Sequence, residues 1–96
     1  MSETEFNIHL PVEMAGGVWA NLATVSHSEH EFTLDFIRAD YSRPGPSGEL
    51  SGVVVSRVNI SPLMVSQLLD ALQDNWHKYA EKAMPAEVRD PGDEIA

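Results

Sequence analysis

The order of hydrophobic and polar residues predicts four strands followed by one helix. Four stretches have the apolar content and the two-residue period that are typical of β-strands; they are residues 6–10, 18–26, 31–39 and 53–60. The last stretch is rich in β-branched residues, which favour extended backbone. Pro11 directly follows the first stretch, and proline in a sheet is confined to edges and ends. The second and third stretches are only four residues apart, so we expect them to form a hairpin.

A long amphipathic helix is predicted after the last strand. Ser61 can cap its first turn, and Pro62 suits its first helical position. From there to about Ala83, apolar residues recur three and four positions apart, which places them on one side of a helix. This helix core stripe consists of Val65, Leu69, Leu72, Trp76 and Tyr79. The pattern therefore predicts a helix that docks on the sheet.

These elements predict an α+β fold, in which an antiparallel sheet of about four strands carries one long C-terminal helix packed on one face. The 96 residues are enough for one domain and too few for two, and we expect residues 1–84 to form it. Residues 40–52 are rich in proline, glycine and serine, which predicts a mobile loop. Residues 85–96 carry acidic residues and two prolines without periodicity, which predicts a disordered tail.

The predicted strands are apolar on both faces, but only one helix is available to cover them. If Phe32 and Phe36 face the helix, the opposite face carries a row of apolar side chains. We predict that this row forms an oligomer interface; its members are Trp19, Val25, Ile37, Val53 and Val55. Pairing with a second copy would bury the row, and two-fold dimers are the commonest solution. The sequence therefore predicts a homodimer or a higher oligomer.

Asp35 and Arg57 are charged residues within two of these apolar strands. A charged group among apolar neighbours is unfavourable unless it finds an opposite charge. We expect the two to form a structural ion pair, across the sheet or across the dimer. The alternative is that each side chain reaches solvent independently.

The composition excludes several classes of protein. Fifteen acidic against six basic residues give a net charge of -9, which disfavours nucleic acid as a partner because phosphate contacts need concentrated positive charge. No apolar run approaches the roughly 20 residues of a membrane helix, so no membrane partner is expected. The chain has no cysteine, which excludes disulfides and fits a cytoplasmic protein.

Candidate chemistry is sparse in this sequence. His27 and His30, beside Glu29 and Glu31, form the one cluster that resembles a metal site. A hairpin turn supplies two ligands where a metal needs three or four, so the two histidines are weak candidates and no cofactor is expected. Motifs for phosphate binding, nucleophilic catalysis or dinucleotide binding do not occur. We therefore expect no catalytic residues and no enzyme activity; a small metal-dependent enzyme that uses the two histidines is the outsider.

Several segments, taken in their order and spacing, resemble a known family. They are Val18-Trp19-Ala20-Asn21-Leu22, Ser26-His27-Ser28, Glu31-Phe32-Thr33-Leu34-Asp35-Phe36, Ser56-Arg57-Val58 with Ser61-Pro62, and Trp76-His77-Lys78-Tyr79. The family is one of short prokaryotic proteins catalogued as domain of unknown function 3467, and the resemblance spans about Phe6 to Tyr79. The family usually has tyrosine at the position of Trp19. The resemblance supports the fold and the class of protein without implying an activity or a substrate.

Together these observations favour a non-enzymatic binding or assembly module, expected to be a homo-oligomeric accessory subunit of a larger cytoplasmic protein complex. Its expected partners are a second copy of itself and another protein. A chaperone or peptide-binding role is the alternative, because a small acidic oligomer built from a sheet and a helix is similar in architecture to the export chaperone SecB.

Overall fold

A computed structural model describes residues 4–83 of the chain. After a short 3₁₀ helix, Val12–Met14, it contains strands β1 (Leu22–His27), β2 (Phe32–Asp40) and β3 (Ser51–Ile60) and helix α1 (Pro62–Ala83). The strands form one sheet in the order β1-β2-β3, so β2 is central and the other two strands are edges. The α+β class and the long C-terminal helix are therefore confirmed, but the described sheet has three strands and not four.

The predicted first strand, residues 6–10, does not join the described sheet. Its alternation of apolar and polar residues is present, yet Phe6 is 78%, Ile8 87% and Leu10 64% exposed. An extended segment becomes a strand only when a neighbouring backbone bonds to it. The prediction of about four strands is wrong. The periodic pattern of residues 6–10 is present, but no strand of the described sheet pairs with them.

Strand β1 begins at Leu22 and not at Val18. The Asn21 side chain accounts for this boundary, since its Oδ1 accepts a hydrogen bond from the Ala39 amide at 2.8 Å and its Nδ2 donates to the Ala39 carbonyl at 3.1 Å. The side-chain amide thus takes the bonds that a longer β1 backbone would make with β2. Trp19 consequently precedes the strand instead of lying on it.

The connection between β2 and β3 spans residues 41–50, which is shorter than the predicted 40–52. It contains its own hydrogen bonds, from the Gly45 amide to the Glu49 carbonyl at 2.7 Å and from the Gly48 amide to the Gly45 carbonyl at 2.9 Å. Gly48 has a φ of +82°, a conformation that favours glycine. The glycine-rich composition therefore encodes defined turns in this connection.

Side-chain hydrogen bonds identify which residues of β2 and β3 face each other. Arg57 contacts Asp35, and the Thr33 hydroxyl donates to Asn59 Oδ1 at 2.8 Å. From Thr33 to Asp35 the residue number on β2 rises by two, and from Asn59 to Arg57 the number of the facing residue on β3 falls by two. The two strands are therefore antiparallel. Near the β2–β3 connection the pairing is shifted by one residue, because Gly52 lies against Ile37 and Ala39: a Cβ at Gly52 would be 2.8 Å from Ile37 Cγ2 and 3.6 Å from Ala39 Cα.

The described residues divide into two compact units. One contains the chain up to Thr24 together with Leu34–Val58, and the other contains Val25–Thr33 together with the chain from Asn59 onward. Helix α1 therefore shares its unit with the β1–β2 connection and the last two residues of β3. The predicted disordered tail, residues 85–96, lies outside the described residues.

The hydrophobic core of the described chain is very small. Among residues 4–83, the buried hydrophobic side chains are those of Ile60, which is 6% exposed, and Ala80, which is 1% exposed. Every residue of β1 is exposed, whereas the six residues 32–37 of β2 are half-buried irrespective of the face on which they lie. The central strand is thus partly covered on both faces and fully covered on neither.

Helix α1 begins as the sequence predicts. The Ser61 hydroxyl accepts a hydrogen bond from the Met64 amide at 3.1 Å, and Pro62 is the first helical residue. The Ser61 carbonyl also accepts from the Val65 amide at 3.1 Å. These contacts satisfy amides that a helix N-terminus otherwise leaves unpaired.

The predicted helix core stripe is only partly covered. Val65 and Trp76 are half-buried, but Leu69 and Leu72 are each 61% exposed and Tyr79 is 53% exposed. The 22 residues of α1 extend over about 33 Å, and the strand segments of its own unit are too short to cover that length. One protomer therefore leaves the middle of the stripe in solvent.

Candidate functional site

One face of the β2–β3 pair combines the predicted ion pair with apolar side chains. We call it the Arg57 face; it consists of Asp35, Ile37 and Ala39 of β2 and Gly52, Val54 and Arg57 of β3. The ion pair joins Asp35 to Arg57, and Gly52 and Val54 line one groove with Leu22, Ile37 and Ala39. Val54 is 48% exposed, while Ile37 is half-buried. Of the five predicted interface residues, Ile37 lies on this face, and Leu22 and Val54 complete its apolar patch.

Asp35 and Arg57 form a two-pronged ion pair within one protomer. Arg57 donates from Nε to Asp35 Oδ1 at 2.6 Å and from Nη2 to Oδ2 at 2.8 Å. The Asp35 side chain is only 17% exposed, whereas that of Arg57 is 63% exposed. This parallel geometry is the strongest that the two groups can adopt, and it supplies the half-buried carboxylate with its opposite charge.

The ion pair shifts the titration of both partners. Hydrogen bonding from Arg57, assisted by its positive charge, holds the pKa of Asp35 below the usual value of 3.8, although partial burial acts in the other direction. The hydrogen bond to Asp35 and its negative charge raise the pKa of Arg57. Both groups therefore stay charged near neutral pH, and the Arg57 face presents a neutralised pair beside its apolar patch.

Trp19 lies near the ends of β2 and β3 that the 41–50 connection joins. It is 66% exposed and lines an open groove of about 490 Å³ together with Arg38, Asp40, Ser51 and Val53. Val53 thus shares the side of Arg38 and Asp40, and not the side of Ile37 that the pattern predicted. The sequence analysis placed Trp19 within a strand, but the segment before β1 brings it to this position. An exposed tryptophan beside exposed valines is a typical anchor for a protein partner.

Val25 lies on the other face of the sheet. The His27 ring stacks on Phe32 with a centroid distance of 5.3 Å, so His27 shares the face of Phe32. Val25 precedes His27 by two residues on β1 and therefore shares that face too, and not the face of Ile37 that the pattern predicted. Leu22, which lines a groove with Ile37 and Ala39, takes its place. The register of β1 could not be read from the sequence, because nothing local reveals which residue meets Phe32.

The two candidate metal ligands are not brought together. His27 is stacked on Phe32, while His30 lies 4.0 Å from Glu29 through Nε2 and Oε2, with both of those side chains 87% exposed. Within residues 4–83, no three histidine, aspartate or glutamate side chains are grouped so that they could hold a metal ion. The β1–β2 connection has instead a structural role, since the Ser28 amide donates to the Glu31 carbonyl at 2.8 Å.

Trp76 carries a buried polar atom that finds no acceptor among the described residues, its Nε1. Its ring lies 5.7 Å from that of Tyr79. A buried N–H without a partner costs about 1–3 kcal/mol, so the surroundings of Trp76 within one protomer are incomplete. The periodicity of the sequence places Trp76 in the helix core stripe, but it does not reveal that its Nε1 finds no acceptor among the described residues.

No described helix combines the length and the apolar character that crossing a membrane requires. No curated protein and no solved structure matches the chain at a significant level. A family model does match, described as "Protein of unknown function (DUF3467)", and the match covers residues 1–87. With nearly the whole sequence included in that match, the chain belongs to the DUF3467 family.

Proposed function

We propose that the chain is a non-enzymatic module that associates with itself and serves as an accessory subunit of a protein complex in the cytoplasm. The observation that carries this proposal is the small core of the protomer. Only Ile60 and Ala80 are buried hydrophobic residues among residues 4–83, while many large hydrophobic side chains on the strands and the helix are more than one third exposed. A soluble domain retains such surface when a partner covers it.

The accessible area of the chain supports the same conclusion. The chain exposes 8470 Å², whereas a folded monomer of 10.6 kDa exposes about 5,500 Å². Even when sixteen of the 96 residues are allowed the full area of an unfolded chain, about 160 Å² each, the remaining area is about 1,100 Å² more than a folded chain of 80 residues exposes. Each partner of a standard interface buries about 800 Å², so the excess suffices for one.

The Arg57 face is the proposed interface within this excess surface. Leu22, Ile37 and Val54 supply aliphatic area, and the ion pair at its other end is already satisfied within the protomer. A partner that covers this face therefore leaves no charge unpaired, which is the main penalty for burying charged groups in an interface.

Light scattering coupled to size exclusion tests the proposal. We expect the chain at micromolar concentration to have at least twice its protomer mass of 10.6 kDa. Val54→Asp should weaken the association at least tenfold, because it places an unpaired charge in the apolar patch. Val18→Asp is the control, since Val18 is also exposed, at 65% against 48% for Val54, and lies outside the sheet. A monomeric mass for the unaltered chain would overturn the proposal.

A second candidate is the chaperone or peptide-binding role, which the exposed hydrophobic residues on a chain of net charge -9 also favour. The chain at equimolar ratio should then suppress the aggregation of a reduced, unfolded client. Unchanged aggregation would remove this candidate.

For the metal-dependent enzyme, elemental analysis of the purified chain is the matching test, and a stoichiometric metal that His27→Ala and His30→Ala abolish would overturn the non-enzymatic proposal.

A further inference from the structure

We infer that residues 6–10 of one copy pair as a strand with the free edge of β3 in a second copy. The inference rests on the proposed self-association and names the segments that carry it. Such a pairing accounts both for residues 6–10, which have the pattern of a strand but are not part of the described sheet, and for the edge of β3, which no described strand covers.

The donor segment has the pattern of a strand without the partner of one. Phe6, Ile8 and Leu10 alternate with Asn7 and His9, and the three apolar side chains are 64% to 87% exposed. This period suits a strand with one covered face, and a proline directly after it suits the end of an edge strand. The segment is therefore suited to pairing, but no backbone hydrogen bond to it is found among residues 4–83.

The acceptor edge is long and unprotected. Strand β3 has ten residues and forms one edge of the sheet, while the opposite edge strand, β1, has six. Soluble proteins usually protect such edges with lysine, proline or a bulge, but β3 has neither lysine nor proline. Its one charged side chain, Arg57, is engaged by Asp35. An edge of this kind accepts an added strand through its backbone.

The second copy is the expected source of the donor strand. The donor segment and residues 51–58 of β3 lie in the same compact unit of the chain, yet no described strand of that unit pairs with the segment. In a two-fold dimer the exchange would be reciprocal, so each contact would form twice. Exchange of an element between identical chains is a low-cost route to a dimer, because every contact uses residues that the chain already has.

Mixed disulfides test the contact directly, because the chain has no native cysteine. Copies that carry Ile8→Cys are mixed with copies that carry one cysteine, at Val53, Val54, Val55 or Ser56, and are oxidised mildly. We expect a disulfide-linked heterodimer for at least one of the four positions, since neighbouring strands bring Cα atoms within the roughly 4.4–6.8 Å that a disulfide spans. Leu69→Cys on α1, where the residue is 61% exposed, is the control position. Failure at all four positions, or equal yield at Leu69, would overturn the inference.

Proline substitution tests the backbone pairing. Successive N–H groups of a strand point to opposite edges, so only one of Asn7→Pro and Ile8→Pro removes a donor that faces β3. Relative to Ile8→Ala, which keeps both donors, we expect one proline variant to weaken dimerisation at least tenfold and the other to weaken it far less. Equal effects of both prolines would contradict a strand pairing.

The control for general disturbance is Val12→Asp beside Ile8→Asp. The two residues are 86% and 87% exposed, but only Ile8 lies in the donor segment, so only Ile8→Asp should dissociate the dimer. If the unaltered chain is a dimer and all donor variants remain dimeric, this inference fails while the proposed self-association stands. A disulfide between two copies that both carry Val54→Cys, insensitive to the donor variants, would assign the edge to a second β3 and overturn the inference. A monomeric unaltered chain contradicts both.

Discussion

Asp35 is held in an apolar strand by a partner that is itself largely in solvent. Its carboxylate is 17% exposed, while the guanidinium of Arg57 is 63% exposed. Two of the five N–H donors of that guanidinium bind Asp35. The pair thus links β2 to β3, and its net charge is zero although part of the guanidinium stays accessible to solvent or to a partner.

Removing the arginine should therefore destabilise the sheet. We expect Arg57→Ala to lower the thermal midpoint clearly, because Asp35 then remains half-buried without its two donors. Arg43→Ala is the comparison, since Arg43 is an exposed residue of the connection between β2 and β3. Circular dichroism during heating measures both variants. Equal, small shifts would show that the pair contributes nothing beyond a surface contact.

The same pair predicts a pH dependence. The pKa of Asp35 lies below its usual 3.8 in the folded chain, so the stabilisation is present above that value and is lost as pH falls through the lower folded value. Asp40, whose pKa the Ser42 hydroxyl and amide lower, acts in the same direction. We expect the urea midpoint of the unaltered chain to fall more steeply below about pH 4 than that of Asp35→Asn. Parallel profiles would contradict this.

Among the elements, those with local signals were predictable and those that depend on a remote contact were not. Helix α1 follows from a cap, a proline and a period, all within the same stretch. The start of β1 depends on the bonds between Asn21 and Ala39, which are 18 residues apart, and the segment 6–10 depends on a neighbouring strand. For the candidate site, the sequence indicated the charged pair and its apolar neighbour Ile37 but misplaced Val25 and Val53, because register is a tertiary property.

The N-terminal cap of α1 contributes measurably to the free energy of unfolding. Ser61→Ala should lower the free energy of unfolding by about 1 kcal/mol, since the Met64 amide loses its acceptor. Ser66→Ala, an exposed change within the same helix, should be neutral or slightly stabilising because alanine is the better helix former. Urea denaturation followed at 222 nm measures the pair. A Ser61 variant as stable as the Ser66 variant would rule out the cap.

The first residues of β3 require a glycine. A Cβ at Gly52 would lie 2.8 Å from Ile37 Cγ2 and 3.5 Å from the Arg38 carbonyl. We expect Gly52→Ala to cost about 1–3 kcal/mol through overpacking. Gly16 has nothing within 4 Å of its hypothetical Cβ, so Gly16→Ala should be tolerated. Chemical denaturation measures the free energy of unfolding of both variants. If Gly52→Ala is as stable as the unaltered chain, β3 shifts to accommodate the added methyl group.

For the molecule as a whole, folding and association are expected to be coupled. A protomer with so little buried hydrophobic area would gain a large share of its stability from a partner that covers the exposed strands and helix. The half-covered stripe of α1 and the Trp76 N–H, which finds no acceptor among the described residues, point the same way.

This coupling predicts that the thermal midpoint rises with protein concentration. A self-associating chain is stabilised by mass action, so a tenfold dilution should lower the midpoint measurably. Val54→Asp should lower the midpoint at high concentration and remove most of the dependence on concentration. A midpoint that is unchanged over two decades of concentration would be the behaviour of an independent monomer.

The different surroundings of the two indoles give the chain natural optical reporters. Trp19, in the segment before β1, is 66% exposed, whereas Trp76 on the helix is half-buried. Fluorescence from the first should shift to shorter wavelength when a partner excludes water from it, and fluorescence from the second should follow the docking of the helix. Replacing either one by phenylalanine would separate the two emissions, so assembly and folding can be timed independently without any attached dye.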